Sequence, residues 1–240
     1  MNRECFCILN DLYLGMIGQP VCQSDIISTR ALKDHAAFDA MKNEGFIDED
    51  FDRLTSAGMK ELDKYRVDNA VILAAGASTR FIPLSLEQPK GLFEVRGEKL
   101  IERQIKQLQA VGITDITVVL GYKKEMFYYL KDKYGVKFII NDAFSIKNNV
   151  ESLYLARNEL KNTYVCVSDS YFVENPFSKY EYRTFYAGHM VSSNTNEMYV
   201  TTDKDGRITK MEKGLDRGQI VLGHSFWQQK FSQRFIGIVA

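Results

Sequence analysis

The stretch Ala70-Val71-Ile72-Leu73-Ala74-Ala75-Gly76-Ala77-Ser78-Thr79-Arg80-Phe81 decides the fold. Ala70–Leu73 is an apolar, β-rich run that reads as a strand. Past the strand the side chains lose their bulk. Ala74, Ala75 and Gly76 leave the backbone N–H groups open to close approach by a phosphate. Arg80 then offers a planar fork for phosphate oxygens. The glycine spacing matches neither the dinucleotide fingerprint nor a P-loop, so the loop is a phosphate loop of another kind. Downstream, Pro83, Pro89, Lys90 and Gly91 form a second rigid segment. Its lysine suits charge that develops on a transferred phosphoryl group.

Outward from this loop, further strand-like runs stand at Ile116–Leu120, Val136–Ile140 and Tyr164–Val167. Helical stretches at Leu100–Val111, Lys124–Tyr134 and Asn149–Leu160 separate them. This alternation predicts an α/β fold, a Rossmann-like and mostly parallel sheet wrapped by crossover helices. After Asp169 the alternation fades into an antiparallel hairpin, Met198–Thr202 with Arg207–Glu212, and a last strand at Gln219–Trp227.

Residues 1–67 read differently. Helices are expected at Ile8–Ile17, from Ser24 to about Arg30, and at Leu32–Asn43, followed by a short hairpin and a helix at Ser56–Tyr65 capped by Thr55. That order is the order of a small winged-helix domain, and Leu54–Leu62 resembles the wing-to-final-helix step of MarR-like domains. The expected division is therefore a winged helix over 1–67 and the α/β domain over 68–240. Such domains read DNA with a recognition helix, here about Ala31–Asn43. Charge weighs against DNA as a partner. Residues 1–68 hold 8 basic and 13 acidic side chains, a net of −5, leaving 23 basic against 18 acidic in the remainder. The acidic unit lacks the electrostatic footprint of a phosphate binder, while the basic one suits an anionic ligand.

The four cysteines, Cys5, Cys7, Cys22 and Cys166, fit neither a disulfide framework nor a zinc site, which implies reduced thiols and a cytoplasmic protein. No apolar run reaches the roughly 18 residues a membrane span needs, so no membrane role is expected.

Leu73–Arg80, Pro89-Lys90-Gly91-Leu92 and Leu100-Ile101-Glu102-Arg103-Gln104 together resemble the signature of the sugar-phosphate and alkyl-phosphate nucleotidyltransferases. Gly121-Tyr122, Asn141-Asp142, Asn148–Leu155 and Tyr164–Tyr171 are similar to the CTP:phosphocholine cytidylyltransferase branch, with coverage from about Asp68 to Trp227. The resemblance implies that CTP and a small phosphorylated amine are the ligands and Mg²⁺ the cofactor. It implies that the backbone of Leu73, Ala74, Ala75 and Gly76, with Gly121, Tyr122, Asn149 and Ser152, holds the base and ribose. Arg80 and Lys90 would bind the triphosphate, and Asp169, at the end of a parallel strand, would hold the metal. A quaternary ammonium asks for aromatic faces and a carboxylate, for which Tyr171, Glu197, Tyr199 and Trp227 are the candidates.

Members of this family carry a further helix, strand and acidic residue beyond the position of Trp227. Phe231–Ala240 holds no acidic residue, so the domain reads as incomplete at its C-terminus, with little turnover expected from these 240 residues. Val221, Leu222, Phe226 and Trp227 on the last strand are then expected to lack a covering helix, which favours aggregation or dimerisation.

Overall fold

The computed structural model describes residues 1–19, 36–48, 50, 53–145, 149–192, 195, 197–214 and 217–239. Two compact units are present. One comprises Met1–Arg66 with Tyr180–Tyr182, the other Val67–Lys179 with Arg183–Ala240.

In the first unit, helix α1 (Arg3–Met16) begins where the Asn2 side chain accepts from Cys5 N. Helix α2 (Ala36–Asn43) follows, then an antiparallel bridge between Ile47 and Leu54, then α3 (Ser56–Leu62). Thr55 caps α3 as its sequence predicts, its hydroxyl accepting from Gly58 N at 3.1 Å. Phe6, Ile8, Leu9, Leu12, Phe38 and Met41 bury the core of this unit together with Ile47, Leu54, Leu62 and Tyr180. The helix expected from Ser24 to Arg30 lies outside the described residues.

The second unit is built on β1 (Asn69–Ala74). The short pair β2 (Glu94–Val95) and β3 (Glu98–Lys99) leads into helix α5 (Leu100–Ala110), α4 being the single turn Leu84–Glu87. Then come β4 (Ile116–Leu120), α6 (Tyr129–Tyr134), β5 (Lys137–Ile140), α7 (Asn149–Leu155) and β6 (Thr163–Val167). The chain finishes with β7 (Phe185–Val191), β8 (Tyr199–Thr202), β9 (Ile208–Glu212), β10 (Gly218–Trp227) and α8 (Gln229–Val239). Strands β5, β4, β1 and β6 lie side by side in that order and run parallel. Strand β10 continues the sheet antiparallel to β6, and carries β8 and then β9 beyond it, with β7 along its other edge.

Alternation along β1 sorts the core. Ala70, Ile72 and Ala74 face Ile101, Ile105 and Leu108 of α5 and Phe127 and Leu130, whereas Val71 and Leu73 face Leu153, Ala156, Leu160 and Trp227. Helices thus cover both faces, which is why the parallel strands read as nearly continuous apolar runs.

Two expectations are corrected here. Strand β7 has no counterpart among the strands expected from sequence: Gly188 and His189 interrupt its apolar residues, and four of its seven residues are exposed. The second half of the last strand is also covered, while Val221 stays half-buried and Leu222 exposed as expected. Helix α8 lays Phe235 and Ile236 on the same face as Trp227, Ser232 Oγ donates to Lys161 O at 2.8 Å, and Phe226 and Trp227 are buried.

Candidate active site

The parallel strands step outward from β1 to β4 to β5, and the chain then returns to place β6 on the opposite side of β1. The crevice outside the carboxyl ends of β1 and β6 is the topological switch point, where open α/β sheets bind ligands. The strand ends are knit together one residue past the regular ladder. Ser168 N donates to Leu73 O at 3.0 Å, Tyr122 N to Ala75 O at 3.0 Å, and Asn141 N to Leu120 O at 2.7 Å. Leu73, Ala74 and Ala75 are therefore buried and Leu73 and Ala75 spend their carbonyls on neighbouring strands, so the accessible part of the loop begins at Gly76. A left-handed Ser78 (φ 53°) turns the chain into the short helix Thr79–Phe81, which carries the backbone of Arg80.

Lys90 and Asp169, 79 residues apart in sequence, meet in this crevice. Lys90 Nζ stands 2.8 Å from Asp169 Oδ2. It also lies 4.1 Å from the centroid of the Phe81 ring, an exposed aromatic face to which the sequence assigns no role. The juxtaposition depends on Gly91. A Cβ there would stand 2.8 Å from Ser168 Oγ and 2.9 Å from Ser168 Cβ, so only glycine lets the Lys90–Leu92 turn lie against the end of β6. Gly121 acts likewise on the other flank, since a Cβ would meet Ala75 O and Phe144 Cβ at 2.7 Å.

The remaining predicted residues divide. Tyr122 donates to Ser85 O at 3.0 Å, and the next residue, Lys123, donates to the carbonyls of Leu86 and Glu87, so this pair clasps α4. Asn149 is exposed at the start of α7, but Ser152, one turn later, is turned inward and accepts from Asn141 Nδ2 at 3.0 Å. Ser152 thus supports Asn141, which is itself buried and also accepts from Ala143 N.

The expected ammonium box does not assemble from its four residues. Trp227 is core, with ring centroids of Phe231 and Phe235 each at 5.0 Å. Tyr199 is fully buried and its hydroxyl accepts from Thr195 N at 2.9 Å. Both carry the apolar bulk that a sheet core takes first, which outranks any contact with ligand. Glu197 is exposed, and Tyr171 is half-buried with the Arg103 guanidinium 4.8 Å from its ring centroid.

Arg103 and Gln104 stand in the signature with no role of their own, yet they shape the site. Arg103 Nε donates to Phe172 O at 2.7 Å and its Nη2 to Val173 O at 2.6 Å, while Nη1 pairs with Glu98. Beside them Glu102 accepts from Tyr129, Lys133 and Tyr134 at 2.6–2.7 Å. Burial pushes the Glu102 carboxyl up, but these three donors outweigh it and hold it down at about 2. That cluster bolts α5 to α6.

Among the described residues no group of three or more Asp, Glu, His or Cys side chains gathers to hold a metal. Asp169 still fits a hard cation, because Mg²⁺ is commonly held by one or two carboxylates and completed by substrate phosphates.

Residues 70–209 match the family model of the MobA-like NTP transferase domain, and the chain belongs to that family. It is a nucleotidyltransferase. The choline-phosphate cytidylyltransferase of Streptococcus pneumoniae is 38% identical over 170 residues, covering 71% of this chain and 74% of the relative. The 2-aminoethylphosphonate cytidylyltransferase of Lancefieldella rimae is 34% identical over 170 residues, covering 69% of each. A solved structure of the S. pneumoniae CTP:phosphocholine cytidylyltransferase aligns with a TM-score of 0.69 at 38% identity, over 72% of this chain and 76% of that one.

Proposed function

We propose that this chain transfers CMP from CTP to phosphocholine, giving CDP-choline and pyrophosphate. The observation that carries the reading is the Lys90–Asp169 pair at the switch point, in a chain 38% identical to a choline-phosphate cytidylyltransferase. In this reading the phosphate oxygen of the acceptor attacks the α-phosphorus of CTP in line, the α–β bridging bond breaks, and pyrophosphate leaves. The Gly76–Ser78 backbone and Arg80 hold the triphosphate. Lys90 donates to the oxygens on which charge develops. Asp169 would hold Mg²⁺, which neutralises phosphate charge and orients the triphosphate. A relative that uses 2-aminoethylphosphonate supports small phosphorylated or phosphonate amines as the acceptor class.

Residues 1–67 are read as a winged-helix domain, supported by the order helix, helix, bridge, helix. The net charge of −5 over residues 1–68 favours a structural, dimerising or regulatory role over DNA binding. A cytoplasmic setting is supported by Cys5, Cys7 and Cys166, none of which forms a disulfide; no described helix is long and apolar enough to cross a membrane.

Radiolabelled CTP offered with phosphocholine, phosphoethanolamine, 2-aminoethylphosphonate and a sugar 1-phosphate tests the acceptor. Calorimetric titration tests the base, with CTP expected to bind tighter than UTP and both well above ATP. Tighter binding of ATP than CTP overturns the assignment. A mobility shift with genomic fragments is expected to give no salt-sensitive complex tighter than about micromolar at physiological salt. A nanomolar, sequence-selective complex would instead make the chain a DNA-binding regulator.

A further inference from the structure

Helix α5 turns a row of side-chain donors toward the segment that bears Asp169. Gln104, fully buried, donates from Nε2 to Val167 O at 3.0 Å and to Ser170 O at 2.9 Å. Those two carbonyls bracket Ser168 and Asp169. One turn further along, Gln107 Nε2 donates to Phe172 O and Glu174 O, each at 3.2 Å. Neither amide can be reversed, because its oxygen would then face two carbonyl oxygens.

Among the described residues, both glutamines leave Oε1 buried with no hydrogen-bond partner. A stranded buried acceptor is a standing cost to the fold. A methionine or leucine of similar length would avoid it, so the side chain is explained by its two N–H groups and not by its bulk. What those N–H groups hold differs between the two residues. Gln107 grips the descending segment beyond the crevice, whereas Gln104 grips the two peptide groups on either side of the carboxylate that pairs with Lys90.

We propose that Gln104 is the positioning residue for Asp169: its amide fixes the peptide groups around that carboxylate, and so the strength with which the site takes a divalent cation together with CTP. The proposal rests on Asp169 being the metal carboxylate. Residues that orient a metal ligand without touching the metal commonly change affinity by about 10–100-fold when lost.

The test uses the full chain, Mn²⁺ as the probe, and the spin-resonance signal of free Mn²⁺ to read binding at saturating CTP. Gln104→Met, which keeps length and removes both donors, is expected to weaken Mn²⁺ binding by about 10–100-fold while CTP affinity without metal is unchanged. Gln107→Met should shift Mn²⁺ binding no more than a few-fold, despite a similar fall in thermal midpoint. Gln104→Leu, which also removes both donors with an apolar side chain, is the second variant and should match Gln104→Met. Mn²⁺ binding unchanged in either Gln104 variant, or weakened equally in the Gln107 variant, overturns the positioning role. Asp169→Asn separates this from the metal reading. Mn²⁺ binding that survives Asp169→Asn overturns the reading of Asp169 itself. Binding lost there but intact in Gln104→Met overturns only the role of Gln104.

Discussion

Replacing Gly91 with alanine adds a single methyl at the tightest point of the site. The backbone at Gly91 lies outside the left-handed region, so alanine adopts it without strain and the effect is steric alone. The new Cβ would stand 2.8 Å from Ser168 Oγ, 2.9 Å from Ser168 Cβ and 3.4 Å from Ser168 O. The hydroxyl could rotate away, but Ser168 Cβ moves only with its backbone. Carbon atoms rest about 3.5–4.0 Å apart, so the turn and the strand end must separate by roughly 0.5–1 Å. Gly91 adjoins Lys90 and Ser168 adjoins Asp169, so the shift falls directly on the 2.8 Å contact between them. Misplacement of a catalytic group by about 1 Å costs on the order of 10²-fold in rate, or about 2.7 kcal/mol. Overpacking should also cost about 1–3 kcal/mol of stability. The assay is pyrophosphate release with CTP and phosphocholine, beside calorimetric CTP titration and thermal unfolding. The double variant Gly91→Ala with Ser168→Gly makes room for the methyl and should recover most of the lost rate. Normal kinetics in Gly91→Ala, or no recovery in the double variant, would refute the view that this contact sets the Lys90–Asp169 geometry.

In a form of the enzyme with full turnover, Lys90→Ala should lower kcat by at least roughly 10², the range for losing a preorganised donor, and near-normal turnover would remove it from the mechanism. Trp227→Ala should destabilise the second unit by about 3–5 kcal/mol in denaturant unfolding, the usual cost of emptying a buried aromatic site, whereas Trp227→Phe should bind acceptor normally; weakened acceptor binding in a stably folded Trp227→Phe would return this residue to the ligand site. His224 is buried among Tyr164, Phe172, Phe177 and Phe185, and burial lowers its pKa to about 4. The folded chain therefore binds this proton less readily than the unfolded one, so stability should fall as pH drops from about 6.5 toward 4, by up to roughly 3 kcal/mol. Urea midpoints across that range, compared with those of His224→Gln, measure the loss, and an identical slope in the variant assigns it elsewhere.

The sheet and its ligand end were legible because their signals are local. Ala70–Leu73 is an unbroken apolar run and Ile116–Leu120 is interrupted only by Thr117, since helices cover both faces of the strands they form, and the loss of bulk at Ala74–Gly76 marks where strand becomes loop. Lys90 and Asp169 could each be named, but their meeting could not, because Gly91 matters only against Ser168. Arg103 and Gln104 stand in the signature, but nothing local says what they do. Apart from the Arg103–Glu98 pair, their partners are main-chain carbonyls more than 60 residues away, and carbonyls leave no trace in a sequence. Trp227 and Tyr199 misled for the opposite reason: an aromatic residue offers a cation the same face it offers a core. Helix α8 escaped notice because the absence of acidic residues dominates Phe231–Ala240, when the decisive fact is the i, i+4 spacing of Phe231 and Phe235 on Trp227.

The make-up of the first unit bears on the order in which the protein is built. Its core includes Tyr180, 1% exposed, whose hydroxyl donates to Asp63 at 2.9 Å, and Tyr182 stacks with Tyr65 at 5.8 Å between ring centroids. Met1–Arg66 leave the ribosome ahead of Tyr180, which follows 114 residues after Arg66. At about 5–20 residues per second, the nascent unit waits on the order of ten seconds with a tyrosine-sized gap in its core. Over that interval Phe6, Tyr13 and Tyr65 lack the ring contacts that Tyr180 and Tyr182 later supply. A fragment cut at Arg66 would stay in that unfinished condition permanently.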